Sequence, residues 1–240
     1  MKIDYNKIGQ NLNTINRFIV DNPNSNISKK LILSSYLFAR LSIRTLVSIH
    51  EKDFKIVSLY LKDFNYDIIN EEILELIIGK QLRNSKINDI IPTFKTIKRY
   101  NFNVLSGKNI KEIITQLRND NVFHGLGFVK IAFVIEMLGF NAGCLDSHMI
   151  ELLNSKKLLI NRYSKVKRNG KRYKIYTNGS NIGQSLSLYL DNLNQLMKFP
   201  EYKKYNNIAL TQWELWNNIM NKKNTHEVYF DVVKDIMDGE

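Results

Sequence analysis

The sequence predicts an all-helical fold interrupted by one short β-hairpin-like insertion near 160–180, and three observations predict it. Only three prolines and eleven glycines occur in 240 residues, so few positions oblige a helix to stop. Most long segments carry apolar residues at three- and four-residue spacing, the period of a helix with one buried face. The exception is 156–181, where Asn169-Gly170 and Asn178-Gly179 flank an alternating stretch from Arg172 to Thr177. Alternation bounded by Asn-Gly is the pattern of strands joined by a tight turn.

Taken in order, the periodicity places helices at 4–20, 27–49, 53–63, 70–81, 85–99, 109–120, 128–138, 147–155, 182–197, 209–222 and 225–237. Segment 27–49 opens with Asn26 or Ser28 as a cap and carries Leu31, Leu33, Leu37, Leu41 and Leu46. That content suits a central core helix with its arginines and serines at the flanks. Ile110, Ile113, Ile114 and Leu117 build the helix at 109–120, and an almost wholly apolar run builds the one at 128–138. In the last two helices Trp213, Leu215, Trp216, Ile219, Val228, Val232 and Ile236 have packing spacing, which gives both tryptophans a core role.

The apolar fraction of 44% and charged fraction of 24% are those of a globular protein that can bury a full core. No run approaches eighteen apolar residues, which argues against a membrane span, and the first residues lack the apolar centre of a secretory signal. A cytoplasmic address is expected. Cys144 is the only cysteine, so an intramolecular disulfide and a multi-thiolate zinc or iron–sulfur site are excluded, and a small buried residue is expected there. Four scattered histidines with no accompanying carboxylate cluster make a metal site unexpected.

The formal net charge of +12 favours a polyanionic partner, nucleic acid first. Nine basic residues and no acidic one lie between Lys156 and Lys174, with Tyr163, Tyr173 and Tyr176 interleaved. Such a segment can hold a phosphate backbone through residues such as Arg168, Lys171 and Arg172 while its rings contact bases. A solvated basic loop has the same composition.

Residues 121–149 are the most informative stretch. A helix ends near Asn121, Gly125-Leu126-Gly127 follows, and the apolar run begins at Phe128. Two glycines permit positive backbone angles and a close partner. The N–H groups of Gly127 and its successors then open the next helix, where free donors and the helix dipole favour an anion. Val129 and Lys130 follow in the first turn, with Lys130 suited to a phosphate. After that helix, Gly139 and Gly143 bound a loop leading to Leu145-Asp146-Ser147-His148. Asp146 is placed both to cap the next helix and to act as a carboxylate on a sugar. His124 either faces phosphate or simply ends its helix, and His148 suits a bracing role.

In that order, Gly125, Leu126, Gly127, Leu145, Asp146, Ser147 and His148 resemble the signature of the helix-hairpin-helix (HhH-GPD), endonuclease III-like DNA glycosylase superfamily. Residues 77–84, Ile-Ile-Gly-Lys-Gln-Leu-Arg-Asn, are similar to the segment of that family whose glutamine enters DNA, which puts Gln81 in that role. The resemblance spans roughly 70–155 and is strongest to compact, bacteriophage-encoded members. It implies a two-lobed helical fold, with a central lobe near 70–155 and a second lobe from 1–69 plus 182–240. It also implies double-stranded DNA as partner, base flipping, and Asp146 as the catalytic carboxylate that stabilises an oxocarbenium-like sugar or activates water. No cofactor is implied beyond a monovalent cation held by hairpin carbonyls. A nucleoid address follows, or the infected host's cytoplasm for a phage protein.

Two departures refine the expectation. Bifunctional relatives carry a nucleophilic lysine two positions after the second hairpin glycine, where this chain has Val129. Lys130 comes one residue later, about 100° further around the helix. An ungapped match predicts a monofunctional enzyme using water; a one-residue shift of the hairpin makes Lys130 the nucleophile of a glycosylase/lyase. A non-catalytic helix-hairpin-helix DNA-binding protein is a further alternative, and an RNA-binding or ribosome-associated basic protein another. The cluster cysteines of many relatives are missing, so packing alone must hold the C-terminal helices.

Overall fold

The computed structural model describes residues 3–43, 47–62, 84–160, 163–168, 171–176, 185–220 and 226–238. Helix α1, Tyr5–Asp21, starts where the Asp4 carboxylate accepts from the backbone N–H of Asn6 and Lys7, and it buries Ile8, Leu12, Ile15 and Ile19 on one face. Helix α2, Asn26–Leu41, is capped by Ser25 rather than by Asn26 or Ser28. It stops well short of the expected 49. The Ser42 hydroxyl donates to Ala39 O at 2.7 Å, and Ile43 N bonds Arg40 O three residues back, a local pairing that competes with the helical ladder. Helix α3, Val47–Lys62, takes up part of what periodicity had joined to α2. The expected helix at 70–81 lies outside the described residues.

Helix α4, Asn84–Arg99, contains Pro92. Helix α5, Ile110–Asn119, opens with a capping box between Asn109 and Glu112. Its end is closed by Asn121 at φ +48, with Asn121 N on Arg118 O and Val122 N on Leu117 O, the left-handed Schellman closure. Helices α6, Phe128–Met137, and α7, Ser147–Ser155, follow. Strands β1, Tyr163–Arg168, and β2, Lys171–Tyr176, pair antiparallel from Tyr163↔Tyr176 to Arg168↔Lys171. The pairing ends at Arg168↔Lys171, on either side of the Asn169-Gly170 pair expected to turn, which lies outside the described residues. Helix α8, Leu186–Asn194, runs into a 3-10 turn at Gln195–Lys198. A short helix α9, Pro200–Tyr205, was not expected from periodicity; it begins with proline at its first position. Helices α10, Ile208–Met220, and α11, Glu227–Met237, complete the described chain.

Helix α2 runs through the centre, packed on α3, α4, α6 and α11. Leu31, Leu33, Leu37 and Leu41 are buried as expected, but so are Ser28, Ser34 and Ser35, which corrects the placing of its serines at the flanks. The Ser35 hydroxyl is bonded to Tyr229 at 2.7 Å and donates to Leu31 O at 2.9 Å, so a small polar side chain is tolerated inside. Tyr36 and Phe38 are fully buried core residues. Helix α6 packs on α2, α5 and α8, and α10 packs on α1 and α7. Trp213, Leu215 and Ile236 are buried, whereas Ile219 is 39% exposed and does not join them. Among the described residues no helix is long and apolar enough to cross a membrane.

Candidate functional site

The corner between α5 and α6 is clamped from three sides. Arg118 donates to Leu126 O at 3.1 Å, the Tyr36 hydroxyl donates to His124 O at 3.0 Å, and His124 N donates to the Thr93 hydroxyl at 2.9 Å. Leu126 is buried while Gly125 and Gly127 on either side are exposed, so the leucine anchors the turn and the glycines present its backbone. The two glycines serve different ends. Gly125 has φ +74, and a Cβ there would lie 2.1 Å from Asp89 Oδ2. Gly127 has an ordinary extended backbone, φ −88 and ψ 176, and a Cβ there would meet nothing within 4 Å. The sequence argument for positive angles therefore holds at Gly125 alone.

Gly127 is the N-cap of α6 and supplies no side-chain cap, while its carbonyl accepts from Lys130 N and Ile131 N. The N–H groups of Gly127, Phe128 and Val129 are the donors that such a helix start leaves over. They face no acceptor among the described residues. The Asp89 carboxylate beside Gly125 would oppose a phosphate, and Arg40 covers it with bonds of 3.0 and 2.6 Å. His124 is tied through its ring as well as its backbone, to Thr96 at 3.4 Å and Asn121 at 3.2 Å, so it braces the corner.

At the other end of α6 the chain closes tightly. Gly139 N bonds Glu136 O, Phe140 N bonds Ile135 O, and Gly139 has φ +81, a second Schellman closure. The following loop is held by Tyr189, whose hydroxyl donates to Gly143 O, and by Asn141, which accepts from Ile208 N at 2.7 Å. Ala142, Gly143, Cys144 and Leu145 are all buried. The loop delivers Asp146, partly buried, to the N-cap of α7. Its Oδ1 accepts from His148 N at 3.1 Å and Met149 N at 3.0 Å. Its Oδ2 accepts from the Trp216 indole at 2.9 Å. Capping and a fixed carboxylate thus coexist in one residue. Trp216, expected only as core, is partly buried and holds that carboxylate; the sequence carries no signal for a contact spanning seventy residues.

Lys130 turns inward. Its ammonium donates to the Ser42 hydroxyl at 3.0 Å and lies 4.9 Å from the centre of the Phe133 ring. Its charge also reaches Cys144 and Glu136, as does that of Asp146. The Lys130 ammonium is thus directed to Ser42 and the Phe133 ring, a different course from the phosphate contact expected of it. Val129 is partly buried against the core. Cys144 is the buried residue expected; burial pushes its thiol up to about 12, against the pull of Lys130.

Glu136 was missed. It is the only acidic residue in the apolar run, fully buried, and neither carboxyl oxygen closes a hydrogen bond. The Cys144 backbone and the Trp213 indole are the donors that face it. Burial, with the Asp146 charge adding to it, raises its carboxyl well above the usual range; Lys130 and those two donors pull the other way. A lone acid in an otherwise apolar helix was the available signal.

Arg168, Lys171 and Arg172 sit on the strand ends next to the β1–β2 connection, where Arg168 pairs with Lys171 and Lys167 with Arg172. Gln81 lies outside the described residues. Among those residues no group of three or more His, Cys, Asp or Glu is gathered to hold a metal ion. Compared with protein-family models, with curated proteins and with solved structures, the chain matches none.

Proposed function

We propose that the chain is a DNA glycosylase of the helix-hairpin-helix type, which grips duplex DNA at Gly125–Val129, flips out one damaged or modified base and hydrolyses its N-glycosidic bond. The observation that carries the reading is Asp146: a carboxylate at a helix start, oriented by three N–H donors, one helix and one loop away from a corner with unspent backbone donors. Departure of a base leaves positive charge on the deoxyribose, and a carboxylate fixed in advance stabilises that charge without reorganising. The same oxygens orient and deprotonate the attacking water. Backbone donors at the corner hold phosphate without reading sequence. The basic strands β1 and β2 add salt-sensitive affinity through Arg168, Lys171 and Arg172, and Gln81 is assigned to the vacated stack.

Asp146→Asn tests this. The amide keeps one oxygen for the His148 and Met149 N–H groups but sets an NH2 against the Trp216 indole and removes the charge. Base release from duplexes that each carry one altered base should fall by about 100-fold or more, with duplex affinity retained. Undiminished release would sink the reading.

A second reading is favoured by the inward course of Lys130. Its ammonium lies on the inner side of α6, on the Ser42 hydroxyl, and a lysine held beside the reacting sugar is what a nucleophile would require. Borohydride reduction during turnover should then trap a covalent protein–DNA species, lost in Lys130→Met; without it, water is the nucleophile.

A further inference from the structure

A cleft of about 770 Å³ lies between α1 and α11, lined by neither the glycine corner nor Asp146. Its two walls are held by different neighbours, α1 by α10 and α11 by α2 and α3. Each wall turns apolar residues to it at helical spacing, Ile8 and Ile15 from α1 and Phe230, Val233 and Met237 from α11. Ile8, Ile15 and Val233 are buried, while Phe230 and Met237 are only half-buried. The walls from Asp4 to Ile15 and from Glu227 to Asp238 are each about 16 Å long, three turns of helix. Around this apolar floor the charge of the chain is reversed. Among the described residues the charged groups lining the cleft are four acids, Asp4, Glu227, Asp231 and Asp238, and two lysines, Lys7 and Lys234. All six are exposed, and they make the cleft acidic on a protein whose formal net charge is +12. Such a rim repels a phosphate backbone and attracts a cationic surface.

We propose that this cleft receives an amphipathic helix of a partner protein, apolar on one face and lined with lysines or arginines beside it. An apolar groove walled by two helices takes the i, i+4 and i+7 anchors of a third, and a wall of three turns gives those anchors their length. The partner's basic flank lies along α11, where Glu227, Asp231 and Asp238 follow one another at helical spacing just outside the stripe of Phe230, Val233 and Met237. The α1 rim is more nearly neutral, with Asp4 and Lys7 followed by Asn11 and Thr14. Charge thus sets which way the incoming helix faces, and the apolar floor supplies the affinity. Helix α1 meets α6 at Gly139, the end opposite the glycine corner, so a helix docked here does not compete for that corner. The docking holds whether or not the chain releases bases from DNA.

The test uses the full chain and fluorescein-labelled helical peptides of about fourteen residues, with leucines at i, i+4, i+7 and i+11. One peptide carries lysines at the other positions and a second carries glutamates. Fluorescence anisotropy should show the lysine peptide binding at least about tenfold more tightly, although the net charge of the whole chain favours the glutamate one. Replacing its leucines by serines should weaken the lysine peptide by at least about tenfold, because the apolar floor is then unused. In the double variant Glu227→Lys/Asp231→Lys, both exposed positions, the preference for lysine over glutamate should vanish or reverse. A lysine peptide that does not bind, binds no better than the glutamate or serine peptide, or binds the double variant within about threefold of wild type would overturn the proposal. So would a wild type that elutes as a dimer while the double variant elutes as a monomer, which would give the cleft to a second copy of the chain.

Discussion

The two ends of α6 both carry glycines, and they use them for opposite purposes. At the N-terminal end Gly127 is exposed, adopts a common backbone conformation and has open space where a side chain would stand. At the C-terminal end Gly139 has φ +81, and a Cβ there would lie 2.0 Å from the Leu12 carbonyl oxygen. The first glycine leaves room for something outside the chain, and the second lets two parts of the chain touch. Gly125 stands between these cases: exposed to solvent, yet with its Cα against the Asp89 carboxylate. Identical letters in a glycine-rich motif thus report either access or packing, and only the neighbours tell which.

Substitutions along α6 sharpen this contrast. Gly139→Ala should have the largest effect. A left-handed angle and a backbone atom that cannot swing aside should together cost about 4 kcal/mol or more, seen as a collapse of the denaturation midpoint or loss of folded protein. Gly125→Ala should cost about 2 kcal/mol, because Asp89 is a side chain and can retreat at the expense of its bonds to Arg40; a double mutant with Asp89→Ala should recover part of the loss. The closed end also has a pH signature. Glu136 keeps its proton in the folded state and loses it in the unfolded chain, so stability is fully present below the ordinary carboxylate pKa. It declines as pH rises from there through the raised folded value. Over that window the slope is about 1.4 kcal/mol per pH unit for one proton, and Glu136→Met should flatten it in urea titrations at several pH values. Gly127→Ala should cost the fold only about 0.5 kcal/mol while weakening duplex binding about tenfold; equal affinity would remove phosphate from that corner.

The helical class was legible because burial leaves a period in the sequence. Ile8, Leu12, Ile15 and Ile19 mark one face of α1, and Ile113, Ile114 and Leu117 mark one face of α5. The break after Leu41 was not legible, since it comes from a serine hydroxyl bonding back to its own helix. Nor was α9, which is only six residues long and has no buried residue to set a period. Asp146 was legible as both cap and carboxylate, because capping is a local matter between residues two and three apart.

By itself, the sequence determined the helical class, the strand pair around Asn169-Gly170, the net positive charge, the glycine corner and the acid at the start of α7. All of these follow from local periodicity, turn chemistry and composition. Tertiary structure decided what those features face. It put Trp216 on Asp146, Asp89 against Gly125, the Lys130 ammonium on Ser42 and the Glu136 carboxyl in the interior facing the Trp213 indole. Each of these pairs elements distant in the chain, and their energies come from burial and from donors and acceptors meeting in space, for which sequence spacing carries no record.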